Sequence, residues 1–388
     1  MADVFLLPGR DRSVRRRHPW VLSGAVARLD GAPEPGAWVR VVSAEGELLG
    51  HGHWSPHSQI RVRLLRFGKD LAGDELVSER IAQAVARRAA DPLLSDTDAV
   101  RLVNAEGDGL PGLVADRYAE RVVVRLSTAG MESRRALVAE ALRAATGAAA
   151  GFERPDAAAA RREGMAAQQG PLWGAPPAEP VAIVERGRRY RVDTTAGQKT
   201  GFYLDQRDAR DLVERLARGR RVLDLFAYTG GFAVAAARGG AESLALVDSS
   251  VEALALARRH LEPWASLPAR FERDDVFRFV RRDEARYDLL IVDPPPLARR
   301  AADVERAARA YKDALLGALR LAAPGALLLA FSCSHHVGPE LFRKIAFGAS
   351  LDAGRPLTVL AELGAPSDHP VALDHPEGRY LTGLLLRG

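Results

Sequence analysis

The sequence predicts a multidomain protein: a small β-barrel over residues 1–70, a central α/β domain with a β-hairpin over 71–195, and a parallel sheet with helices on both faces over 196–388. Three observations carry that expectation. The chain has 388 residues, more than one hydrophobic core normally serves. Its first 70 residues read as short strands broken by Gly and Pro. From about residue 205 onward strand-like and helical runs alternate, which implies a parallel sheet.

In the first region the strand candidates are 38–42, 48–54 and 60–65, with Pro33-Glu34-Pro35-Gly36 as a turn. The central region offers a helix from Leu76 to about Ala90, a strand over 121–126 and an alanine-rich helix near 132–146. Residues 148–174 are poor in aliphatics other than alanine and lead into the Pro- and Gly-rich stretch 170–177, expected as a loop or linker. A hairpin follows, 181–184 with 190–192, turning at Arg186-Gly187-Arg188. The last region alternates strands 221–226, 243–247, 269–272, 289–292 and 326–331 with helices 231–239, 250–262, 276–283, 303–321 and 338–348, and closes on strands 357–363 and 381–386.

Composition narrows the class. The apolar fraction of 47% and charged fraction of 27% are those of an ordinary globular protein. No run approaches the ~20 apolar residues of a membrane span, and the first residues lack a secretory apolar core. The single cysteine, Cys333, excludes an intrachain disulfide and a Cys-based zinc site. A cytoplasmic protein is expected. Residues 1–70 hold 11 basic and 7 acidic residues, so most of the net +5 lies there. Within them Arg15, Arg16 and Arg17 stand beside Trp20, basic groups next to an aromatic, a combination suited to phosphate contact and base stacking.

Acids end four successive strands of the last region: Asp224, Asp248, Asp275 and Asp293. Ligands of such sheets bind beyond the carboxyl ends of the strands. Any one of these acids alone would read first as a helix cap. The turn Phe226-Ala227-Tyr228-Thr229-Gly230 follows Asp224, and its glycine lets backbone approach a ligand. Neither G-x-G-x-x-G nor a P-loop is present, which removes the main support for dinucleotide and nucleoside-triphosphate readings. Together the acids favour S-adenosylmethionine: Asp224 near the methionine amino group, Asp248 and Ser249 at the ribose, Asp275 at the adenine edge.

Two neighbouring apolar runs end in Asp293-Pro294-Pro295 and in Ser332-Cys333-Ser334. If they are adjacent parallel strands, an acid and a thiol leave the sheet at one edge. A thiolate adding to carbon 6 of a pyrimidine activates carbon 5 for methylation. Asp293 would hold the base and offset its developing charge. His335 and His336 lie close by in sequence, with no role assigned.

The chain resembles the RlmI-type ribosomal RNA large-subunit methyltransferases, which act at cytosine carbon 5. The resemblance spans essentially the whole chain through residues 17–21, 101–113, 198–207, the Asp224 loop, Asp293-Pro294-Pro295, residues 332–336 and Asp368-His369-Pro370. It implies an N-terminal PUA domain for RNA and a C-terminal Rossmann-like class I methyltransferase domain. It further implies 23S rRNA or the large subunit as partner, with a homodimer as an option. Phe202 and Gln206 are expected at the cofactor, Lys199 and Arg207 at the RNA. The family's Asp-Pro-Pro-Lys-Phe stands here as Asp293-Pro294-Pro295-Pro296-Leu297. Methylation of another base or of a nitrogen, with Cys333 structural, stays open. So does a non-catalytic RNA-binding assembly factor. A nicotinamide-dependent oxidoreductase is a distant option.

Overall fold

Alternation of apolar and polar side chains sets the first sheet. Its strands are β1 (Ala2–Leu6), β2 (Trp20–Leu22), β3 (Val26–Asp30), β4 (Trp38–Val42), β5 (Leu48–Trp54) and β6 (Ile60–Phe67), in the order β2-β6-β5-β4-β1-β3. Val4, Leu6, Val21, Val39, Val41, Val62 and Leu64 point into a single core, so the sheet curls on itself. The short helix α1 (Arg12–Arg15) adds Val14 to that core. The molecule is described from a computed structural model, which covers all residues except 176–179, 196, 198 and 299.

A second core follows. Strands β7 (Ala99–Asn104), β8 (Leu113–Tyr118), β9 (Arg121–Leu126), β10 (Ala150–Glu153) and β11 (Gly170–Trp173) form a five-stranded sheet in the order β11-β10-β9-β8-β7. Helices α2 (Asp74–Ala89) and α4 (Arg135–Thr146) supply Leu76, Ile81, Val138 and Leu142 to this core; α3 (Ala129–Glu132) and α5 (Ala157–Glu163) complete the region. The stretch expected as a linker is therefore largely structured. Gly151 has no Cβ because the Trp173 ring occupies that space, at 2.2 Å from where it would lie. The Pro-containing β11 sits at the sheet edge, where a missing amide donor costs no ladder bond. Pro176-Pro177 lie outside the described residues, as does Gln198.

The chain divides into two compact units. The first holds Met1–Gly187, Val192–Leu204 and Ser367–Gly378; the second holds Arg188–Arg191, Asp205–Pro366 and Arg379–Gly388. The strands β12 (Val181–Glu185) and β13 (Arg188–Val192) lie where the chain passes from one to the other.

The second unit is the expected alternating region. Its strands are β14 (Arg221–Leu225), β15 (Ser243–Asp248), β16 (Ala269–Arg273), β17 (Tyr287–Val292), β18 (Ala322–Ser332), β19 (Thr358–Leu363) and β20 (Thr382–Arg387). They order as β16-β15-β14-β17-β18-β20-β19, with β20 antiparallel to both neighbours and the first five strands parallel. The helices are α6 (Arg207–Leu216), α7 (Gly231–Arg238), α8 (Val251–Leu261), α9 (Val276–Arg282), α10 (Val304–Leu321) and α11 (Pro339–Asp352). Leu289 to Val292 are buried without alternation, as a strand covered on both faces requires. No helix among the described residues is long and apolar enough to cross a membrane.

Candidate active site

The sheet order reverses between the paired parallel strands β14 and β17: β15 and β16 lie outward of β14, and β18 lies outward of β17. A ligand crevice opens at such a switch point. Asp224, one residue before the end of β14, is 2% exposed, and neither carboxylate oxygen has a well-formed hydrogen bond among the described residues. Burial, followed by the nearby Asp293 and Asp248, pushes its carboxyl well above the usual range.

The turn after β14 is bent into shape by three left-handed residues: Phe226 (φ 63°), Tyr228 (φ 48°) and Gly230 (φ 75°). The first two are costly for side-chain-bearing residues. At Gly230 a Cβ would lie 3.0 Å from the Ala257 Cβ. Two side chains that the sequence reading missed hold this turn from behind. His260 donates from Nδ1 to the Thr229 carbonyl (2.8 Å) and accepts the Arg191 amide at Nε2 (2.8 Å). The Tyr190 hydroxyl donates to the Gly231 carbonyl (3.2 Å). Neither residue lies in a motif, so only their folded positions reveal them.

Asp248 is half-buried and accepts the Tyr228 and Ser250 amides, each at 2.9 Å. That fixes the carboxylate toward the turn; Ser249 beside it is exposed. Asp275 is exposed and caps α9 by accepting the Arg278 amide (3.0 Å). For this acid the capping role is realised.

The Thr229 hydroxyl and the Gln206 side-chain carbonyl are buried without a hydrogen-bond partner among the described residues. With the Asp224 carboxylate they are acceptors and a donor waiting for a polar ligand. S-Adenosylmethionine fits: its amino group suits Asp224, and its ribose hydroxyls suit Asp248.

The catalytic candidates do leave one edge. β17 and β18 are parallel neighbours with Val292 opposite Ala330, so Asp293 and Cys333 follow at the same end. Gln206 Nε2 donates to Asp293 (3.0 Å), which places Gln206 at this acid. The half-buried Cys333 Sγ lies 3.4 Å from the Pro294 carbonyl. Its flanking serines are buried. The Ser334 hydroxyl accepts the Ala298 amide (3.0 Å) and meets the Tyr311 hydroxyl (2.9 Å). Tyr311 of α10 thus ties the cysteine loop to the segment after Asp-Pro-Pro. His335 and His336 are exposed, their rings edge to face at 5.1 Å.

Other expected residues make contacts within their own units. Phe202 and Lys199 belong to the first unit: the Phe202 amide donates to the Tyr118 hydroxyl (3.2 Å), and Lys199 Nζ sits 4.3 Å from the Tyr203 ring centre. Arg207, expected to face RNA, is fully buried at the start of α6 rather than on the surface. Arg15 is exposed but engaged by Asp11 and Glu47, while Arg16 and Arg17 are exposed. Trp20, expected to stack a base, donates Nε1 to Glu106 (2.9 Å) and packs on His375 (4.5 Å). That also places the Ser367–Gly378 stretch, where Asp368 accepts the Arg101 amide (3.0 Å) and Pro370 accepts from Asn104 (2.9 Å).

Comparison with known proteins agrees with this geometry. Residues 130–370 match the family described as S-adenosylmethionine-dependent methyltransferase, and residues 4–67 match the PUA-like domain. A protein of Salmonella arizonae named ribosomal RNA large subunit methyltransferase I is 41% identical over 99% of this chain and 97% of its own. One of the same name from Tolumonas auensis is 42% identical over 99% and 98%. A solved structure assigned as a methyltransferase and complexed with SAH covers all of both chains at TM-score 0.85 and 24% identity, a likeness of fold. The methyl donor is S-adenosylmethionine, and this chain belongs to the S-adenosylmethionine-dependent methyltransferase family, with a PUA-like domain at its N-terminal end.

Proposed function

We propose that the protein methylates ribosomal RNA of the large subunit, forming 5-methylcytosine through a covalent adduct with Cys333. The observation that carries this is the parallel pairing of β17 and β18, from whose same ends Asp293 and Cys333 emerge. The two relatives' names supply the RNA class.

When bound, S-adenosylmethionine supplies an electrophilic methyl group. Asp224, Asp248, Thr229 and the Phe226–Gly230 turn would hold it, with Ser249 and Asp275 toward the ribose and adenine. The Cys333 thiolate adds to carbon 6 of an unstacked cytosine, and the displaced π electrons make carbon 5 nucleophilic. Asp293, positioned by Gln206, holds the ring nitrogen side and offsets charge there. After methylation the carbon-5 proton leaves, the double bond re-forms and the thiol is expelled. Arg16 and Arg17 are exposed and Lys199 is half-buried, and their positive charge suits RNA phosphates.

A second reading, nitrogen methylation with Cys333 structural, is favoured by one observation: the thiol is turned toward the Pro294 carbonyl. The homodimer gains no support and is not part of the proposal. The test is incubation of the protein with labelled S-adenosylmethionine and unmodified 23S rRNA, followed by nucleoside mass spectrometry. Labelled 5-methylcytidine is the expected product; a methylated purine or an N-methylated pyrimidine refutes the reading.

A further inference from the structure

Two sequence strings that catalysis does not use, residues 17–21 and 101–113, meet in the first unit at a cleft of about 710 Å³. Its walls include Trp20, His57, Gln59, Glu106, Arg161 and Arg162. That volume falls within the range of small-ligand sites.

The cleft is a built feature. Gly164 (φ 70°) closes α5, and the His57 ring lies 2.4 Å from where its Cβ would be. Gly112 (φ 88°) is crowded in the same way by Thr128. Glu163 is buried against Arg63 (2.9 Å) and accepts the Ala129 amide (3.2 Å), which pins α5 in place. Arg161 and Arg162 precede it and are exposed.

The charges of the cleft are unequally served. Glu106 accepts from Trp20 (2.9 Å), Asp156 caps the Ala158 and Ala159 amides (3.0 and 2.9 Å), and Glu163 is paired with Arg63. Arg161 and Arg162 make no side-chain hydrogen bond or ion pair among the described residues. In the adjoining sheet, by contrast, Arg28 and Arg40 are each paired with an aspartate. Two unpaired guanidinium groups beside aromatic and amide side chains suit a strand of phosphates with unstacked bases.

We propose that this cleft binds a single-stranded RNA segment, with phosphates on Arg161 and Arg162 and a base against His57 and Gln59. The proposal rests on RNA being the substrate class, and not on the cytosine-C5 chemistry.

The test is fluorescence anisotropy of a short labelled single-stranded RNA across a salt series, with the full chain. For Arg161→Glu/Arg162→Glu, affinity should fall about tenfold or more. The plot of log affinity against log salt should flatten by about 1.4, since each single-strand phosphate contributes about 0.7. S-Adenosylhomocysteine affinity should not change, and the thermal unfolding curve and far-UV circular dichroism should match wild type, which excludes misfolding. Arg161→Lys/Arg162→Lys should restore most of the binding. A charge-matched control on α11, Arg343→Glu/Lys344→Glu, should stay within about twofold, because neither side chain lines the cleft. The proposal is overturned if the cleft variant matches this control in affinity and slope. If the wild type itself binds no RNA, the RNA reading falls with it. Loss confined to the cleft variant, whatever nucleoside is methylated, sustains the proposal.

Discussion

Asp108 in the first unit and Asp224 in the second are both buried carboxylates, 7% and 2% exposed. Asp108 takes a bidentate pair from Arg88 (2.6 and 2.7 Å), a third bond from Arg87 (2.8 Å) and the Asn104 amide (2.6 Å). Burial alone would raise its carboxyl, but Arg88 above all holds it below the usual range. Asp224 has burial and two acidic neighbours instead, and its carboxyl is pushed up. The difference separates an acid whose partners are in the chain from one that, on the proposed reading, meets its partner in the cofactor. Burial of an acid therefore marks a site only when its hydrogen bonds are missing.

The largest expected effect is on the completed acid. Asp108→Ala leaves Arg88 buried without its carboxylate, holding only backbone carbonyls, so the first unit should lose about 3–5 kcal/mol, measured by denaturant unfolding. A loss near zero would mean that Arg88 finds other partners and that the contrast is false. Asp224→Asn should do the reverse. Folding stability stays level or rises, while S-adenosylhomocysteine affinity drops about tenfold to a hundredfold by calorimetry. An Asp224→Asn protein that binds as tightly as wild type would remove this acid from the cofactor site.

The two acids should also respond oppositely to pH. Asp224 has a folded pKa above its unfolded value, so folding takes up a proton there. Ligand-free stability should fall as pH rises from the ordinary carboxylate range through that raised value. Asp108 has a depressed folded pKa, so its contribution is full above the ordinary range and fades as pH falls through the lowered value. Melting curves of wild type and Asp224→Asn across pH should converge in acid and separate toward neutral pH. Parallel curves would contradict the assignment.

A smaller effect is expected at Tyr311. Tyr311→Phe removes the hydroxyl that meets Ser334 and should cost about 1 kcal/mol. The more telling readout is the alkylation rate of Cys333, the only cysteine, which should change because its loop is released. An unaltered alkylation rate with an unaltered turnover would show that Tyr311 only fills the core.

The second unit was largely legible because its sheet is made of local signals. Each of its five parallel strands is followed by its own helix, so Asp224, Asp248 and Asp293 could be placed at strand ends from sequence alone. The first unit depends on distant pairs. Trp20 reads as a base-stacking residue, and nothing local announces Glu106 and His375 beside it. Asp368 lies in the last region by sequence, yet it accepts the Arg101 amide, 267 residues away. Strands β10 and β11 are rich in alanine, glycine and proline, and form because Trp173 packs over Gly151 rather than from local propensity. Arg207 carries the same charge as a surface arginine, and nothing local announces its burial.

The measurement that bears most directly on the central claim is covalent trapping. A 23S rRNA transcript carrying 5-fluorocytidine cannot lose a proton from carbon 5, so an adduct formed through Cys333 should persist. With S-adenosylmethionine present, wild type should migrate as a denaturant-stable protein–RNA species, and Cys333→Ala should not. A trapped species of equal yield from Cys333→Ala, or none from a wild type that still methylates unmodified RNA, would contradict the cysteine mechanism.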